Sequence, residues 1–198
     1  MTEQFDFGKG PMAAHQHPNG GGWVEDTAVV EETAFIGPNA LVYDNAQVSE
    51  NAQVLENARV FGNAWVFGNA QVYERAQVSG HARVYEHARV CGNAQVFGAA
   101  HILGNALVFW DAQVYENARA YDDARVFGYA RVFGDSEVSG NALVCENTQV
   151  GGTAQVYENA RVGGNSHVFG NVQIFGNALV SGYAQVSGNA RVLKEAQE

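Results

Sequence analysis

Six histidines, at positions 15, 17, 81, 87, 101 and 167, are the side chains of this sequence best suited to proton chemistry near neutral pH. His101 lies in NAQVFGAAHILGNALVFW, residues 93–110, and is a candidate general base. His17 is the second candidate, in AAHQHPNGGGWV, where His15 and His17 also have the spacing of a metal-binding pair. The glycine run at 20–22 has no following helix whose N-terminus would hold a phosphate, so a turn is the expected use. The outward serines lack a neighbouring histidine to activate them as nucleophiles. Cys91 and Cys145 are too few for a disulfide framework and lie far apart in the chain.

The elements that would position these residues follow one rule. Every residue number divisible by six from 24 to 192 is Val or Ile, except Ala120. Four places after each comes a small residue, almost always Ala, with Ser136, Thr148, Ser166 and Val172 the substitutes. Two places after comes Gly or an acid, except at Pro38, Trp110 and Lys194, and the next place is most often Asn. A β-branched residue suits a short, half-buried strand, and its neighbours must point outward. Gly and Asn accept left-handed backbone angles, which assigns them the corners, and Ala turns inward where space is short. Ala120 is expected to leave a small void or to draw a neighbour inward. The sequence therefore reads as all-β: a chain coiled so that short strands stack in parallel from turn to turn, without a loop between 24 and 197.

The unit Val-x-Gly-Asn-Ala-x, as in VFGNAW at 60–65, resembles that of the hexapeptide-repeat proteins. The likeness covers 24–197 and is nearest to long, loop-free rods encoded by bacteria and their phages. It implies a single-stranded, left-handed parallel β-helix (a β-solenoid) with about ten triangular coils of roughly 18 residues, three hexads to a coil. Periodicity alone leaves coils of two and of three hexads open, because VFG at 60, 96, 132 and 168 recurs at a step that both divide. Ten coils at the stacking distance of strands make a rod of about 45 Å. Three coils would hold the two cysteines about 14 Å apart, beyond the reach of a disulfide. Residues 1–22 stand outside the repeat as an N-terminal cap and 23–198 form the solenoid, with Lys194, Glu195 and Glu198 guarding its last edge. Hexapeptide acyltransferases share the repeat. The resemblance to them implies a trimer, acetyl-CoA bound between subunits, and His101 or His17 as the base on the acceptor.

Coils of three hexads set outward residues into ladders. One face reads Phe61, Ser79, Phe97, Tyr115, Phe133, Gly151, Phe169, Ser187, with phenylalanines roughly 9.6 Å apart. Another alternates Arg89, Leu107, Arg125, Leu143, Arg161, Leu179. Rings separated by gaps suit interleaving with a second copy. Phe61, Phe97, Phe133 and Phe169, with Leu107, Leu143 and Leu179, are the expected contact residues of a homo-oligomer, dimer or trimer, or of a protein partner. This is the reading of a non-catalytic scaffold that needs no cofactor and no metal.

Composition narrows the partners. Net charge is −10, against nucleic acid as a partner. Residues 1–58 hold nine acids against Lys9 alone, which keeps ends from stacking or offers carboxylates to a basic partner. No run of about 18 apolar residues supplies a membrane span. The acidic start MTEQFDFGKG does not resemble a signal peptide, so a cytoplasmic or virion-associated location is expected.

Overall fold

The computed structural model describes residues 3–194, and the charges expected at Glu195 and Glu198 lie outside them. Three strands open the chain: β1 (Glu3–Asp6), β2 (Pro11–Gln16) and β3 (Trp23–Glu25). From β3 onward each strand pairs in parallel with the third strand after it, as Val24 with Val42 and Val42 with Val60. That register settles the coil at three hexads rather than two. β4 (Val29–Val30) starts the second sheet and β5 (Phe35–Ile36) the third. The sheets hold 12, 10 and 9 strands, so the solenoid has three sides and about ten coils.

The inner column contains what the six-residue rule demands. From Ala34 to Ile174 the Val and Ile residues and the alanines four places after them form one continuous, fully buried cluster. Ala120 stacks between Ile102 and Val138, so the bulkier Ile102 lies beside the missing methyl groups. Hydroxyls that replace alanine in this dry column are satisfied locally. Ser136 donates to the Phe133 carbonyl and Ser166 to that of Gly163, each at 2.7 Å.

The corners differ from expectation. The left-handed residue is the Gly or acid, not the Asn after it: ten non-glycine residues there have φ between 56° and 61°, nine of them Asp or Glu. A non-glycine residue costs about 1 kcal/mol or more in that conformation. The acids offset this by reaching to the coil above. Glu86, Asp122 and Glu158 accept hydrogen bonds from the backbone N–H of Gly104, Gly140 and Gly176 at 2.7, 3.0 and 2.7 Å. Acid and glycine alternate along this corner: Glu50, Gly68, Glu86, Gly104, Asp122, Gly140, Glu158, Gly176. From Glu50 to Gly176 no two acids are adjacent on it, and a Cβ built at Gly68 would lie only 2.8 Å from the Glu86 nitrogen. The asparagines instead form amide rows outside, such as Asn105 Nδ2 to Asp123 at 3.1 Å.

Residues before the first coil form a hairpin. β1 and β2 are antiparallel, and β2 pairs antiparallel with β3, so the hairpin extends the first sheet. Its apolar side folds onto outward residues: Phe5 stacks on Trp23 at 4.6 Å, Phe7 on Tyr43 at 5.2 Å. The glycine run crosses beneath the third sheet, where the Gly22 N–H donates to the Ile36 carbonyl at 2.9 Å. A Cβ at Gly20 would collide with that same carbonyl, so the glycine is required there.

Candidate functional site

The histidines do not converge. His15 is exposed, its Nδ1 2.9 Å from an Asp26 carboxylate oxygen. His17 is only 3% exposed and its Nδ1 faces the backbone of Asn19, inside the turn that the glycines complete. His81 and His87 are exposed at corners, and His167 pairs in register with Gln149 and Gln185. Among the described residues no three His, Cys, Asp or Glu side chains gather as metal ligands.

His101 has the most developed surroundings. It stands in the second sheet between Arg83 below and Arg119 above. Partial burial and the two guanidinium groups hold its pKa below the ordinary value, so the imidazole is neutral at pH 7. Beside it is a notch of about 400 Å³ lined by Tyr85, His101, Leu103, Arg119, Tyr121 and Glu137. Glu137 lies 3.6 Å from Arg119 and 3.4 Å from the Tyr121 hydroxyl. A roomier groove of about 560 Å³ lies along the next corner, lined only by polar side chains, Gln71, His87 and Arg89 among them.

The phenylalanine ladder of the first sheet is half-buried and largely stacked on itself. Phe97, Tyr115 and Phe133 follow one another at 4.8 and 5.2 Å with nearly parallel planes, and Tyr43 stacks on Phe61 at 4.9 Å. The gap expected between Phe133 and Phe169 is closed. Their centroids are 5.8 Å apart, well short of the spacing of two rungs. Gly151 has no side chain to separate them, and Phe133 lies across it. Only the rung at Ser79 separates Phe61 from Phe97.

The third sheet is more open. Arg89, Leu107, Arg125, Leu143, Arg161 and Leu179 are neighbours in register, and Leu179 is 65% exposed. At the corner that follows, Trp110 is 58% and Tyr129 65% exposed. Trp110 occupies a slot filled elsewhere by Gly or an acid, with φ at 58°, and meets the rings of Phe109 and Phe127 edge-on at 5.2 and 5.6 Å. The sequence marks Trp110 as an exception to the corner rule; its exposure and that of Tyr129 appear only in three dimensions. Cys91 and Cys145 also face this side, and burial pushes both thiols up, away from reactive thiolate. Tyr73 hydrogen-bonds Cys91 and is partly buried, which together raise its phenol to about 12.

A parallel β-solenoid with three strands to the coil, and with no excursion from the winding among the described residues after β3, is the class these observations define. A family model described as YdcK Beta solenoid repeat matches residues 58–74 and 184–198. No curated protein matches the chain.

Proposed function

We propose that the protein is a non-catalytic scaffold that pairs with a second copy of itself through the third sheet and its Trp110 corner. Trp110 carries this reading: a bulky residue held in a strained backbone conformation, with more than half its surface in water, costs stability that its own burial does not offset. Its neighbours Leu107 and Tyr129 extend the apolar surface beside the half-buried stack of Phe109 on Phe127, and exposed apolar surface of this kind marks association. Alternating Arg and Leu offers a second copy apolar contact for its Leu residues, and the neighbouring Trp110 ring offers an aromatic face for its Arg. The ladder of Phe61, Phe97, Phe133 and Phe169 is the lesser candidate, since its rings already stack within the chain. Light scattering of the double variant Trp110→Glu, Leu143→Glu is expected to give half the wild-type mass with an unchanged β signal in circular dichroism. An unchanged mass removes this interface.

A second reading, a trimeric acyltransferase using acetyl-CoA, draws on one observation, the neutral imidazole of His101 beside a notch. Acetyl-CoA at millimolar concentration would then raise the melting temperature, since a ligand stabilises the state it binds. A flat response removes that reading.

A further inference from the structure

The aromatic ladder of the second sheet runs Phe67, Tyr85, Leu103, Tyr121, Ser139, Tyr157, Phe175, one residue per coil. Where two rings occupy successive rungs they face each other: Phe67 on Tyr85 at 4.8 Å and 3°, Tyr157 on Phe175 at 5.1 Å and 2°. Between Tyr85 and Tyr121 the rung is taken by Leu103, which is shorter than a tyrosine and leaves the outer part of the rung empty. This is the notch of about 400 Å³. Two rungs separate the tyrosines by about 9.6 Å, so a flat ring laid over Leu103 would lie about 4.8 Å from each, within the stacking range of aromatic pairs. The comparable rung at Gly151 is closed by Phe133 and Phe169, so a gap survives where a mid-sized side chain props it open.

Two residues back along the strands, about 6.6 Å away, stand Arg83, His101 and Arg119 in register. Arg83 has no ion pair among the described residues and lies over the Trp65 ring at 5.8 Å. Arg119 is held by Glu137 only at 3.6 Å, longer than a close charge-assisted bond. The nearby corner carboxylates, Glu86 and Asp122, are turned into the backbone N–H groups of Gly104 and Gly140. The groups that line the notch at the position where a substituent on the ring edge would lie are therefore the Arg119 guanidinium, the neutral imidazole of His101 and, on the far side of Arg119, the Glu137 carboxylate.

We infer that this notch binds a small planar aromatic carboxylate, its ring between Tyr85 and Tyr121 and its carboxylate on Arg119 and the N–H of His101. The site lies on a different sheet from the proposed self-association surface and does not depend on it. Benzoate is the probe, titrated into the full chain and followed by the NMR signals of the Tyr85, Tyr121 and His101 rings. A saturable shift with Kd on the order of 1 mM is expected for so small a ligand. Cyclohexanecarboxylate, which cannot stack, and benzyl alcohol, which carries no charge, are each expected to bind at least about tenfold more weakly, a loss of about 1.4 kcal/mol. Leu103→Tyr should complete the stack, as Tyr115 does between Phe97 and Phe133, and abolish binding while the chain stays folded. Arg119→Gln should weaken binding about tenfold whatever the fate of the first variant. The inference is overturned by any one of three outcomes: no saturable shift at benzoate concentrations about tenfold above the expected Kd, cyclohexanecarboxylate binding as tightly as benzoate, or a folded Leu103→Tyr protein that still binds.

Discussion

The first and third sheets are built on the same six-residue rule, yet their outer surfaces behave oppositely. On the first, rings from successive coils lie on one another, Phe97 on Tyr115 on Phe133, and the N-terminal hairpin covers Trp23 and Tyr43 with rings of its own. On the third, one row alternates leucine with arginine and does not close, Phe109 on Phe127 is the one stacked pair in the row beside it among the described residues, and Trp110 and Tyr129 are left in water. The inner column is equally dry under both. What separates them is the order of outward residues along the axis: like beside like seals a face, and alternation leaves it available.

The largest effect that tests this contrast should come from Phe133→Ala. Removing a ring that touches Tyr115 and Phe169 is expected to cost about 2 kcal/mol, roughly half the loss of a wholly buried phenylalanine. Denaturant unfolding reads it, and the oligomeric mass should not change. Trp110→Gly should do the reverse, removing the strain of the left-handed residue and adding about 1 kcal/mol of stability to the monomer while weakening association. If the same variant destabilises the monomer, the ring is part of the fold and the contrast fails. Ser79→Tyr should extend the sealed face by joining Phe61 to Phe97, for a gain of about 0.5–1 kcal/mol read from the melting temperature.

The second sheet provides the smallest effect. The pKa of His101 is depressed in the folded chain, so the folded state favours the neutral ring. The stability this reflects is present above the unfolded value, near 6.5, and is lost as pH falls through the folded value. Wild type should lose slightly more melting temperature than His101→Gln between pH 7.5 and pH 5, and equal losses would show that the burial of His101 has no energetic consequence. The group is mostly solvated, so the difference is small.

The winding is legible in the sequence because inward positions obey a strict period: Val24 to Val192 can be counted without knowing which coil touches which. Contacts between coils are less legible. The longer rhythm of VFG fits coils of two or three hexads, and only the pairing of Trp65 with Gln47 and Arg83 fixes the step. Until it is fixed, neither the acid-and-glycine corner nor the closure of Phe133 on Phe169 can be inferred. The corner misleads for a related reason. Asn and Gly share a tolerance for positive φ, but a carboxylate from one coil supplies an acceptor for the next, and that favours Glu in a conformation its own propensity disfavours. His17 stands out in the sequence, but its burial comes from the hairpin folding back, which no repeat announces. Around His101 the conspicuous feature is the imidazole itself, whereas the notch depends on Leu103, an ordinary residue whose effect is to be shorter than its neighbours.

The pairing of a carboxylate with a glycine one storey up also sets the increment by which that edge of the rod can change length. Adding or losing two storeys at that edge restores every acid to a glycine, whereas a single storey would put carboxylate against carboxylate or glycine against glycine. Duplication has a natural step of two full windings at that corner alone; at the other two, Gly62, Gly80 and Gly98 succeed one another and Glu56 lies under Glu74, so single storeys fit there.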